Sequence, residues 1–415
     1  MVLLHGSSLV AQALALLGPR ADSRAYTAQT VSAISTLQGW YDEADGLWNG
    51  TGWWNSANLL TTLADFALLD GDDATRLGLT AIMANTYAAA QGSGSQQTAV
   101  KVVDSTGLVR SSYVRTAVEV EAMPGSSSSL VAVHDTFSGF INNFYDDEGW
   151  WTLALIHAFD ATNRTDYLVS AESIFADLHR GVSTDVCGGG IWWSKDHTYK
   201  NAIANELYLA AAASLANRVA GAAARVKYRD IAVGQWAWFR HSGMINAQGT
   251  VNDGLVIHEN GSCSNNGATV WSYNQGVVLG GLVELHRALG GADLSLLPAA
   301  VAIARAGIDA LSANGILHES CESGGGDCGS DGPTFKGVFL RNLHYLSQAG
   351  LSSRDRDYFR AYILQNADSI WLNDRDTTTN ELGLVWSGPV SANGGPNTAT
   401  HGSAVDCLVA AVAVV

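Results

Sequence analysis

Basic residues are scarce in this chain: 23 Lys and Arg stand against 39 Asp and Glu in 415 residues, a formal net charge of −16. That balance argues against phosphate backbones and anionic membrane surfaces as partners, and no nucleic-acid-binding motif is present. Metal-ligand spacing is lacking too. The five cysteines and 11 histidines fall into no zinc pattern and give no H-x-x-x-H pair, so neither a metal nor another cofactor is expected. No apolar stretch is long enough to span a bilayer. The apolar run at 9–17 has no Lys or Arg ahead of it, which leaves residues 1–23 as an N-terminal segment and a candidate signal-peptide remnant. The C-terminal run 404–415 is interrupted by Asp406 and has a poor polar spacer, so a buried helix is expected there rather than a lipid-anchor signal.

What is present is apolar and aromatic. A hydrophobic content of 47% is ample for a sizeable core. Of the 13 tryptophans, six stand in adjacent pairs at 53–54, 150–151 and 192–193; core packing rarely asks for neighbouring indoles, whereas binding surfaces do, so one indole of each pair is expected to face a bowl. Asn49, Asn163 and Asn260 each open a glycosylation sequon, which leans towards a secreted, extracellular protein. Cys321 and Cys328 flank a glycine-rich loop and are expected to be bridged. Cys187 and Cys263, in Gly- and Asn-rich loops, are a further candidate pair whose bridging stays open, and Cys407 reads as a buried free thiol.

Apolar residues at helical spacing recur in pairs of segments, one fairly polar and one rich in small apolar residues. The pairs are 24–42 with 54–69, 73–91 with 149–160, 166–181 with 200–217, 223–241 with 274–289, 295–313 with 336–349, and 354–372 with 401–414. Residues 92–145 form an insertion with β-like stretches near 99–103 and 113–120. Twelve helices in this alternation predict an all-α (α/α)6 barrel of six helical hairpins, a single domain over 24–415, because each apolar helix needs burial on nearly all sides. Every long loop from an outer helix to the next inner one then opens at the same end.

Those loops carry the polar and aromatic motifs. Central among them is Tyr-Asp-Asp-Glu-Gly-Trp-Trp at 145–151. Two adjacent carboxylates are the minimum equipment for acid/base and nucleophile work at an acetal carbon, and indole faces suit sugar rings. The alternative is that Asp146, Asp147 and Glu148 only cap and charge a helix start. A capping or neighbouring supporting role is expected for Glu148, whose side chain should point away from the pair. Asn201, Asn274 and Gln275 read equally well as sugar-binding or capping residues, and Lys336 as a partner of the acids or of substrate oxygens.

These motifs resemble glycoside hydrolase family 76, the α-1,6-mannanases, in its secreted fungal form. The likeness covers about 24–414 and rests on the 145–151 motif with Trp-Trp-Asn-Ser-Ala-Asn at 53–58, Cys-Gly-Gly-Gly-Ile-Trp-Trp at 187–193, Lys-Asn-Ala-Ile-Ala-Asn-Glu at 200–206, Tyr-Asn-Gln-Gly at 273–276 and Phe-Lys-Gly at 335–337. The resemblance implies the same barrel and a retaining endo-hydrolase of α-1,6-mannan backbones, with Asp146 as nucleophile and Asp147 as acid/base. The candidate substrate-binding set is Trp54, Asn55, Asn58, Asp135, Tyr145, Trp150, Trp151, Asn201, Tyr273, Asn274, Gln275 and Lys336. The expected partner is α-1,6-mannan or manno-oligosaccharide, with no nucleic acid and no membrane, and the protein is expected to be a monomer. The alternatives are a transglycosylase of cell-wall assembly and a non-catalytic mannan-binding protein.

Overall fold

A computed structural model describes residues 23–91, 97–103, 108–115, 139–325 and 327–415. Helix α7 (Ala202–Arg218) shows what makes an inner helix: it is buried at every position from 202 to 216, and its alanines leave it slim enough to be surrounded. Five others share that character: α2 (Trp53–Leu69), α5 (Tyr145–Thr162), α9 (Ser272–Ala288), α11 (Gly332–Ser347) and α13 (Thr398–Val414). They pack side by side in the order α2, α5, α7, α9, α11, α13, and α13 closes on α2. The outer helices bury one stripe instead. In α10 (Leu296–Leu311) the buried residues are Leu296, Ala300, Ile303, Ala304, Gly307, Ile308 and Leu311, the three-and-four spacing of a one-sided helix.

The outer ring comprises α1 (Ser23–Leu37), α4 (Leu79–Ala89), α6 (Thr165–Leu178), α8 (Ala222–Phe239), α10 and α12 (Ser353–Asn373). Short turns run from an inner helix to the next outer one, so α6 packs on α5, α8 on α7 and α10 on α9. This shifts the expected pairing by one helix, because α6, α8 and α10 pack mainly on the inner helix before them and not on the one after. Instead of pairing with α2, α1 packs on α13, where His401 bonds the Ala33 carbonyl at 2.8 Å. The segment at 73–91 is also broken, into α3 (Gly71–Arg76) and α4, at Gly78 with φ +69°, a left-handed conformation that glycine adopts without penalty.

The long loops from outer to inner helices carry the strands, the first being β1 (Tyr41–Asp42) paired with β2 (Leu47–Trp48) between α1 and α2. In the insertion, β3 (Gln97–Val103) pairs antiparallel with β4 (Val109–Arg115), Lys101 opposite Ser111; the second strand lies earlier than the 113–120 expected. A separate ribbon, β5 (Leu255–Ile257) paired with β6 (Cys263–Asn265), lies in the loop between α8 and α9. Two disulfides, Cys187–Cys263 and Cys321–Cys328, hold such loops, while Cys407 is a buried free thiol. No described helix is long and apolar enough to cross a membrane. The expected signal-peptide remnant and Asp135 lie outside the described residues.

Candidate active site

The first turn of α5 carries Asp146, Asp147 and Glu148, all buried, and no side chain caps it, so these acids meet the free N–H groups and positive end of the helix. The start of α5 is fixed from outside. Tyr145 N–H donates to the Trp193 carbonyl at 2.9 Å, and Asn142 accepts from Phe144 N–H at 2.8 Å while donating to Asp147 Oδ2 at 2.7 Å. Glu148 turns away from the two aspartates to pair with Lys195 at 2.9 Å, which also holds Asp177.

Lys101 of β3 reaches over this turn. Its ammonium donates to Asp146 Oδ2 at 2.8 Å and Asp147 Oδ1 at 2.6 Å, so the two carboxylates face a single cation. Burial pushes the Asp147 carboxyl up to about 6, with Lys101 pulling against it and Asp146 adding to the rise. Asp146 Oδ1 is buried without a hydrogen-bond partner among the described residues.

Further acids line the same end. Asp331, before α11, accepts from Trp54 Nε1 at 3.2 Å and Ser111 Oγ at 2.6 Å. Asp253, which accepts from Tyr199 OH at 2.5 Å, is pushed up to about 6 by burial, and the charge of Asp146 adds to the rise. Both oxygens of Glu206 and both amide atoms of Asn274 are buried without hydrogen-bond partners among the described residues. Such atoms are costly to leave unpaired, and a polyhydroxylated ligand could satisfy them. Tyr273 stacks on Phe335 at 3.9 Å between ring centres, and Phe335 meets Trp54 at 6.4 Å, linking α9, α11 and α2.

The structure thus brings together Asp146, Asp147, Trp54, Trp150 and Tyr273, with Asn274 next to Tyr273 in the first turn of α9. It gives other expected binders internal tasks. Asn201 caps α7 through Ala204 N–H at 3.3 Å. Gln275 spends its amide on both backbone groups of Val251, each at 2.8 Å. Asn55 bonds Gly52 N–H and Thr334, Asn58 receives Arg341, and Lys336, fully buried, pairs with Glu322 at 2.7 Å and the Leu384 carbonyl at 2.6 Å. Tyr145 lies under Lys195, and Trp151 packs on Trp53 and Phe140. Trp54 and Trp150 do not face an open bowl: they are 3% and 4% exposed and stack on each other, because the β3–β4 hairpin covers this end. Lys101, Asp253 and Asp331 escaped the sequence reading, and Glu206 entered it only as the last residue of the 200–206 motif, with no role assigned. Asp253 and Asp331 precede glycines and read as turn residues, and Glu206 lies within an apolar helix.

The glycosyl hydrolase family 76 model matches residues 22–413. Among curated relatives, the mannan endo-1,6-alpha-mannosidase DFG5 of Candida albicans is 27% identical over 224 residues, 51% of this chain and 48% of that protein. DFG5 of Saccharomyces cerevisiae is 29% identical over 227 residues, with 51% and 47% covered. The chain spans about half the length of these curated relatives. Among solved structures, an inactive variant of a Salegentibacter α-1,6-mannanase with α-1,6-mannotriose superposes with a TM-score of 0.72 at 20% identity, covering 94% of this chain and 99% of that one. Dfg5 of Chaetomium thermophilum with glucosamine gives 0.72 at 16% identity, with 96% and 92% covered. The fold is theirs, and with a family match across all six inner helices the chain belongs to glycosyl hydrolase family 76.

Proposed function

We infer that this protein is a retaining, endo-acting glycoside hydrolase that cleaves α-1,6-mannosidic bonds within mannan backbones. The observation that carries the reading is the adjacent carboxylate pair bonded to one ammonium, with Asp147 the more deeply buried and pushed up to about 6. Relatives support the substrate. The curated ones are named mannan endo-1,6-alpha-mannosidases, and in the Salegentibacter α-1,6-mannanase a variant with two consecutive aspartates replaced is inactive.

In this mechanism Asp146 attacks the anomeric carbon while Asp147 gives its proton to the departing glycosidic oxygen. Asp147 then takes a proton from water, whose oxygen attacks the same carbon and releases Asp146, so configuration is retained. Asn274, Glu206 and Asp253 offer hydrogen bonds to sugar hydroxyls, while Trp54 and Trp150, stacked on each other, give the site an aromatic wall. Two disulfides and exposed Asn49, Asn163 and Asn260 favour an oxidising, extracellular setting, and a monomer is proposed.

The test is incubation with linear α-1,6-mannan, reading reducing ends and the first-formed anomer by NMR. Internal cleavage giving the α-anomer is expected, with kcat/KM falling above about pH 6 as Asp147 loses its proton. Absence of new reducing ends, or a first-formed β-anomer, would refute the reading. Products longer than the starting oligosaccharide would identify transglycosylation.

A further inference from the structure

Lys101 stands where a sugar has to be. Its ammonium bonds both aspartates and its side chain is 2% exposed, yet a retaining reaction needs the anomeric carbon and the glycosidic oxygen between those two groups. The contact also works against the acid role, since a neighbouring cation favours the charged carboxylate. The hairpin that carries Lys101 buries Ala99 and Leu108 in the core and rests Val109 and Tyr113 against it, and polar contacts tie it to its neighbours. Asn143 clasps the N–H and C=O of Ala99 at 2.9 and 2.8 Å, Ser111 bonds Ser330 and Asp331, and Arg110 reaches Asp327 at the surface. Among the described residues the sheet has two strands, an arrangement that is marginal by itself. On its outer face Val100 and Val102 are 49% and 61% exposed rather than packed in a core.

We propose that the β3–β4 hairpin is an autoinhibitory strap: in the sugar-free protein Lys101 occupies the catalytic centre, and substrate enters only when the hairpin lifts and frees both carboxylates. The inference rests on the reading of Asp146 and Asp147 as the catalytic pair. Lifting has one cost whatever sugar follows, so the open fraction reduces kcat/KM by the same factor for every substrate. Removing Lys101 leaves two buried carboxylates uncompensated in the closed form, which should then give way to the open one.

The experiment compares wild type, Lys101→Ala and Asn143→Ala on α-1,6-mannotetraose and α-1,6-mannohexaose, and footprints lysines by acetic anhydride and mass spectrometry. Both variants should raise kcat/KM, by about tenfold or more if the open form is about a tenth or less of the wild type, and by equal factors for the two sugars. In sugar-free wild type Lys101 should acylate at least about tenfold more slowly than exposed Lys227, and saturating mannohexaose should speed it. A fall in kcat/KM in either folded variant, or a Lys101 still protected during turnover, would overturn the strap and make Lys101 a positioning residue. Should Lys101→Ala not fold, Asn143→Ala, which leaves the ion pairs in place, carries the test. Should no form cleave mannan, the sugar-free footprint still decides: rapid acylation of Lys101 refutes the closure, whereas protection upholds it and only the mannan reading falls.

Discussion

Asn274 and Gln275 are consecutive, fully buried residues of α9, and their hydrogen bonding separates them. Gln275 satisfies the backbone of Val251 with its amide, while no described residue bonds the amide of Asn274. Gln275→Ala should therefore cost on the order of 3 kcal/mol of stability by stranding two backbone groups. Asn274→Ala should leave thermal stability unchanged or higher and lower kcat/KM on mannan about ten- to a hundredfold, the worth of one or two hydrogen bonds. Thermal melts beside kinetics decide, and reversed outcomes would reverse the roles. At this scale the sequence was legible where chemistry forces adjacency, as in Asp146-Asp147. It was illegible where an amide has two equally good uses, and for Lys101, whose ties to residues 45 and 46 positions away no local spacing encodes.

At the scale of elements, the inner helices were legible because full burial demands unbroken apolar sequence, and their starts because the polar motifs break it. The partner of α1 was not, since pairing depends on which connections are short in space. Close approach of the inner helices was also hidden in the motifs. A side chain at Gly276 would press within 2.7 Å of the Phe339 backbone, and one at Gly337 within 2.5 Å of the Ser403 carbonyl. These glycines near the starts of α9 and α11 let the ring close tightly beneath the site. Gly337→Ala should push α11 from α13 and cost about 1–3 kcal/mol, seen as a lower Tm; an unchanged Tm would show that the helices can part freely.

For the whole molecule, alternation of polar and apolar segments sufficed to place the motifs at one end of a barrel, because an inner ring of helices that all start at that end brings its loops together. What it could not convey is that the β3–β4 hairpin lies over that end, since a two-stranded ribbon draws its position from contacts with loops far away in sequence, such as Asp327 and Asp331. The acidic balance of the chain, −16 overall, also takes a local form there, with Asp146, Asp147 and Asp331 gathered around Lys101.

The account turns on the division of labour between Asp146 and Asp147, and an activated aryl α-mannoside extended by α-1,6-mannose tests it most directly. Such a leaving group departs with little protonation but still needs a nucleophile. Asp146→Ala should form no glycosyl-enzyme by intact-mass measurement. Asp147→Ala should accumulate one, and added azide should release it as the α-configured mannosyl azide. A glycosyl-enzyme in Asp146→Ala and none in Asp147→Ala would exchange the two roles; a Glu148→Ala variant that folds yet is as inactive as either would contradict the adjacent pair altogether.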